Sequence, residues 1–359
     1  MLKRESNIEL LRIVSILLVI SLHLCQGENG FLSYTNRTDA FGMFILNAIY
    51  CLSLCAVDVF LIISGYFSVY NKKRILGKPI ELICICIFFK LSYYLFFALL
   101  YGGFVWNDFF KTLIPDNYFI NIFCVCYALS PFLNVIFLSE SKKNLTLFMI
   151  LLFSFFSIWP TIANVFLKNI ISSDIKGVFP VGLSGTDQGF TLVNFMFCYS
   201  IGAYTRVTHL SFWKKQRNGM LLLAFLISVF TILVIKFPCL RSASSGLDGY
   251  DSVFTILIGW VLFLLFKDLS IPYISFVNFM AKSTFGVYII HTSILWMFRK
   301  YLSFLAVDNT FDVLLKYIIE LILTYTVCII LYKILGYIFS PVRIAWRDSF
   351  IYKSKLYFS

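Results

Sequence analysis

Charge is what this sequence has least of. Asp, Glu, Lys and Arg make up 13% of its 359 residues, about half the ~25% of a typical soluble domain. So few ionic groups cannot cover a water-facing globular surface. Histidine is scarcer still, with three in the whole chain. The ten cysteines show neither metal-ligand spacing nor a framework of paired loops. Most, such as Cys84, Cys86, Cys124, Cys126 and Cys328, fall in apolar runs, where Cys behaves as a small hydrophobe. No metal site is therefore expected. G-x-S-x-G, a Walker phosphate loop and H-E-x-x-H are all missing, which removes the usual residues of serine hydrolases, nucleotide hydrolases and zinc peptidases. No internal repeat of clear period occurs, which weakens a transporter built from inverted halves. No low-complexity linker marks a second domain.

What the chain has is apolar length. The hydrophobic fraction is 60% and the aromatic fraction 19%. A spanning helix needs about 20 mainly apolar residues, and about ten such stretches can be read: 8–25, 44–70, 80–101, 118–138, 145–167, 190–206, 218–236, 252–267, 283–299 and 313–337. The second is long enough to be tilted or broken near Gly65. The expected fold is an all-α integral membrane protein, one domain over 1–359 with a transmembrane core over 7–337. Residues 338–359 would form a cytoplasmic tail. The start resembles a signal peptide, with Lys3 and Arg4 before an apolar run. No small-residue cleavage pattern follows, so the run is expected to stay as the first span.

The net charge of +12 invites a nucleic-acid reading, and loop position gives a better one. With the N-terminus inside and ten spans, seventeen Lys and Arg fall in inner segments and nine in outer ones. That bias predicts both termini in the cytoplasm and makes lipid, not nucleic acid, the partner of the basic residues. The outer loops 26–43, 102–117, 168–189 and 237–251 are rich in Gly, Ser, Asn and Asp, and suit a polar external ligand.

Ionisable residues inside spans are costly and point to function. Arg12 and His23 share the first span. Eleven steps at about 100° bring them to nearly one face, and the rise separates them by about 16 Å. Histidine suits proton transfer near neutral pH. A guanidinium forks a phosphate or carboxylate, although Arg12 can also snorkel or pair with Glu9 one turn earlier. Asp58, in Val57-Asp58-Val59-Phe60, must be paired, protonated or wet. Ser64 and Gly65 after it permit a close helix approach or a local break. His291 closes Phe285-Gly286-Val287-Tyr288-Ile289-Ile290-His291. His209 reads as a solvated loop residue. Each of these positions can also be structural, Asp58 as a hydrogen-bond node and His291 as a core residue.

Taken together, these stretches resemble the acyltransferase 3 family of membrane acyltransferases, especially bacterial surface-polysaccharide O-acetyltransferases. Arg12 and His23 fit its R-x10-H first-helix motif, with Glu9 at the upstream acidic position. Val57 to Tyr66 is similar to its second-helix motif, with Ala56 where Gly is usual and Leu61 where a second Phe is usual. Asn117-Tyr118-Phe119 through Leu129-Ser130-Pro131-Phe132-Leu133-Asn134 matches a further segment, with Tyr118 where Trp is common. Ile201-Gly202-Ala203-Tyr204, followed by Arg206, and Phe285 through His291 match two more.

The resemblance implies about ten helices, acetyl-CoA as cytoplasmic acyl donor, and a polysaccharide or lipid-linked sugar as outer acceptor, in a bacterial inner membrane. His23, Arg12 and Asp58 become the expected catalytic residues. His291, Tyr288, Ser64, Tyr66, Glu9 and Arg206 become the expected substrate-binding residues. A flippase for lipid-linked saccharides, transfer of another acyl group, and a peptidoglycan acceptor are the competing readings.

Overall fold

The computed structural model describes residues 5–27, 30–33, 38–71, 73–75, 77–163, 187–209, 249–301 and 309–349, with scattered positions in 219–230 and at 353 and 355–357. Helix α1 (Ser6–Cys25) runs through the middle of the bundle. Its buried Ile8, Leu11, Ile16, Val19, Ile20 and Leu24 lie in the main apolar core. Two of its serines cause no unmet polarity, because Ser15 and Ser21 donate to the carbonyls of Leu11 and Leu17, one turn back. That is how a spanning helix absorbs hydroxyls in a medium without water.

Around it stand α2 (Ala40–Ser53) and α3 (Ala56–Ser68), α4 (Gly77–Tyr101), the short α5 (Trp106–Thr112) and α6 (Tyr118–Ser139). There follow α7 (Lys142–Ile162), which passes through a π turn at Ser154–Ile158, and α8 (Leu192–Val207). The chain ends with α9 (Val253–Lys267), α10 (Ser275–Ala281), α11 (Thr284–Tyr301) and α12 (Thr310–Asp348). Six described helical stretches are long and apolar enough to cross a membrane, and α9 is a shorter apolar helix. Helices overlie nine of the ten expected spans, while 218–236 lies largely outside the described residues. In the most apolar 18-residue window of Ala40–Ser68, 72% is buried, against 17% in that of α4, so α4 belongs to an outer layer. Exposed apolar residues such as Leu99 and Phe276 then face lipid.

The second span does break, but at Leu54–Cys55 between α2 and α3 and not near Gly65. Ser53 donates to the Ile49 carbonyl and the Cys55 thiol to the Leu52 carbonyl, local bonds that compete with the helical ladder. Gly65 instead serves the closest crossing in the bundle, that of α3 with α8. A Cβ at Gly65 would collide with the Tyr199 carbonyl, and one at Gly202 with the Ile62 carbonyl. Small residues on both helices let their backbones touch.

The Ser130-Pro131 pair and Asn134 tie α6 to this crossing. Pro131 leaves the Tyr127 carbonyl without its helical donor, and the Ser130 hydroxyl supplies one at 2.8 Å. Asn134 donates to the Ser68 carbonyl and accepts from the Tyr199 hydroxyl.

Two features were not expected, a short strand pair and a longer last helix. Lys73–Ile75 pairs antiparallel with Lys355–Tyr357, Arg74 opposite Leu356. The last helix also continues past 337 to Asp348. At about 1.5 Å per residue its 39 residues reach about 58 Å, well beyond a ~30 Å hydrocarbon core. Its far end is tied to the start of α4 by Arg347, which donates three times to the Glu81 carboxylate, at 2.6, 3.0 and 3.1 Å. The start of α1 lies close to the end of α9, where Asn7 donates to the Phe266 and Lys267 carbonyls.

Candidate active site

Arg12 and His23 sit eleven residues apart on α1, both half-buried. Arg12 donates to Glu9 at 3.0 Å. It also lines a cavity of about 370 Å³, together with Lys78, Ser64, Ser68, Phe119 and Tyr288. Two cations, several hydroxyls and aromatic walls make this a place for an anionic group carrying an apolar arm.

Tyr288 connects that cavity to the histidines. Its ring lies 5.7 Å from that of His291, centroid to centroid, and the His291 ring lies 5.1 Å from that of His23, inclined at 49°. His291 is buried. Its Nδ1 lies 2.7 Å from the Tyr288 carbonyl and 3.2 Å from the Val287 carbonyl. Carbonyls only accept, so Nδ1 carries the proton, and Nε2 of the neutral ring presents a lone pair. That Nε2 is buried and has no hydrogen-bond partner among the described residues.

Beyond His23 opens a second pocket, of about 440 Å³, lined also by Gln26, Thr292, Trp296 and Arg299. Arg299 donates through one nitrogen to the carbonyls of His23, at 2.5 Å, and Gln26, at 3.2 Å. These are carbonyls at the C-terminal end of α1, where a helix carries partial negative charge. The arginine therefore fixes the helix end that presents His23. Glu320, buried on α12, stands within electrostatic reach of Arg299 and 3.9 Å from Lys316.

The other expected residues fall elsewhere. Asp58 makes no hydrogen bond to either histidine among the described residues. It is fully buried at the α3–α8 contact, with the Cys198 thiol 3.4 Å and the Asn194 amide 3.5 Å from Oδ1, and Oδ2 has no partner there. Tyr66 and Arg206 pair with each other, by a 2.8 Å hydrogen bond and by the guanidinium lying 4.7 Å from the ring centroid. Both belong to the far ends of α3 and α8. Ser64 lines the Arg12 cavity but bonds back to the Phe60 carbonyl.

Sequence reasoning missed several participants. Arg299 and Lys78 counted there as loop charges, since each stands at the edge of an apolar run. Tyr118 and Tyr250 are hydrogen-bonded to each other, and both interact electrostatically with Asp58, as Asp251 also does. Tyr250-Asp251 directly precedes a span, and that acidic residue at a span edge was the available signal.

The helical bundle thus sets a histidine pair between a cationic cavity and a polar pocket. Residues 5–333 match the family model described as an acyltransferase domain, and the chain belongs to the acyltransferase 3 family. No curated protein and no solved structure matches the chain.

Proposed function

We propose that the protein is an O-acetyltransferase of the bacterial inner membrane. It takes an acetyl group from cytoplasmic acetyl-CoA and esterifies a hydroxyl of a surface polysaccharide or lipid-linked sugar at the outer face. The observation that carries this reading is the order of groups along α1: Arg12 in the inner cavity, His23 against His291, and the outer pocket beyond. An inner donor and an outer acceptor meet at the imidazole.

Arg12 and Lys78 suit the phosphates of the donor. The apolar walls suit its thioester arm, with Tyr288 beside the thioester. His23 takes the proton of the attacking hydroxyl as the new C–O bond forms. The C–S bond then breaks, and the proton passes to the departing thiolate. Transfer through an acetyl-imidazole on the same ring uses the same geometry. Asp58 acts at a distance, fixing α3 against α8. With the basic ends inside, both termini lie in the cytoplasm.

The test is ester formation by purified protein in proteoliposomes supplied with labelled acetyl-CoA and host glycans. Label should enter an alkali-labile ester on a glycan. No ester on any glycan would remove the saccharide acceptor, and label on peptidoglycan alone would redirect it.

A further inference from the structure

We infer that the outer pocket is the saccharide subsite, with Trp296 as the stacking platform for the acceptor ring. This deepens the acetyltransferase reading and rests on it. His23 lines the pocket, whose volume of about 440 Å³ lies within the ~300–1,000 Å³ of small-ligand sites. Its lining is unusual for a membrane protein wall. Trp296 is 51% exposed, meets Phe97 edge to face at 6.0 Å on its other flank, and shares this pocket with three hydrogen-bonding side chains, Gln26, Thr292 and Arg299.

An apolar occupant would offer no partner to the hydrogen-bonding capacity that Gln26, Thr292 and Arg299 have beyond their bonds to the protein. A pyranose offers the opposite. One face of its C–H bonds lies flat on an indole, and its rim of hydroxyls both donates and accepts. Gln26 and Thr292 can do both in return, and Arg299 only donates. Among the described residues Arg299 donates to the α1 carbonyls from Nη2, and with Glu320 within electrostatic reach its Nε and Nη1 are the groups placed to meet an acceptor oxygen. Because that arginine also holds the carbonyl of His23, the group that binds the sugar and the group that places the base are one side chain. A sugar stacked on Trp296 brings a hydroxyl to the imidazole from the side opposite the Arg12 cavity.

The experiment uses the full-length protein in nanodiscs and a lipid-linked glycan extract from the host membrane as probe. Hydroxyl-radical footprinting read by mass spectrometry should show Trp296 protected by the extract and not by acetyl-CoA. In the acetyl-transfer assay, Trp296→Ala should raise the apparent KM for the extract about tenfold, with KM for acetyl-CoA unchanged. Trp296→Phe should recover most of that loss. Protection by acetyl-CoA in place of the glycan, or a KM for the extract that Trp296→Ala leaves unmoved, would overturn the assignment. Protection by the extract without any acetyl transfer by the wild type would keep the subsite and reject the acetyltransferase reading.

Discussion

His23 and His291 reach each other from the second half of α1 and the first half of α11, and only folding makes them a pair. With 5.1 Å between ring centroids, each imidazole shapes the other's surroundings. The roles differ: His291 is buried with Nδ1 held by two carbonyls, while His23 opens on the outer pocket. His23→Ala should therefore lower acetyl transfer by about 10²–10⁴-fold, the range of a lost general base, at unchanged protein level in membranes. Full transfer by that variant would remove the base assignment. Asp58 calls for a different expectation. Its Oδ1 meets two donors only at 3.4–3.5 Å, and Oδ2 meets none among the described residues. The site thus gives an ionised carboxylate little support, and a neutral amide of the same shape fits it. Asp58→Asn should shift thermal unfolding in detergent by less than about 1 kcal/mol, whereas Asp58→Ala, which also opens a cavity, should cost more. The Arg12–His23 face was legible because helical period alone aligns them. Asp58's partners were not, since Asn194 and Cys198 lie on a helix more than a hundred residues away and neither type stands out in an apolar run.

Elements in this bundle are joined by backbone groups as much as by side chains. At the α3–α8 crossing, Gly65 and Gly202 leave no room for a Cβ. Near it, Ser130 restores the bond that Pro131 removes, and Asn134 clamps the end of α3. The three sequence stretches around Gly65, Gly202 and Asn134 are thus parts of one joint. Ser130→Ala should leave the Tyr127 carbonyl unsatisfied and destabilise the protein by about 1 kcal/mol, seen as a lower melting temperature. An unchanged melting temperature would mean that the carbonyl finds another donor. At the other end of the bundle, Arg299 holds the last turn of α1. Arg299→Ala should speed amide hydrogen exchange over Leu22–Gln26 and lower acetyl transfer. Equal exchange in wild type and variant would show that the helix end needs no such clamp. The sequence located these helices through hydrophobic run length. It misplaced the break in the second span because Gly65 looked like a hinge, while Ser53 and Cys55, with their bonds to preceding carbonyls, looked like ordinary small residues.

The whole molecule has one end marked by ties between distant segments. The start of α1 is bonded to the end of α9, and Glu81 at the start of α4 is bonded to Arg347 at the end of α12. The Lys73–Ile75 strand is paired with Lys355–Tyr357. These contacts gather Lys78, Lys267, Arg343 and Arg347 at one end of the bundle, the end that the proposed orientation puts in the cytoplasm. Asn309 caps the opposite end of α12, about 58 Å away along a straight helix. In the proposed orientation the two ends of this one helix lie on opposite faces of the membrane, and labelling each end tests it. Nine cysteines are described, and Cys84 is the exposed one among them. A variant with its native cysteines replaced provides a clean background. In right-side-out spheroplasts, Asn309→Cys should react with a membrane-impermeant maleimide, and Asp348→Cys should react only after permeabilisation. The reverse pattern would put Arg12 and Lys78 at the outer face. Acetyl-CoA made in the cytoplasm could not then reach the cationic cavity, and donor and acceptor would have to exchange pockets.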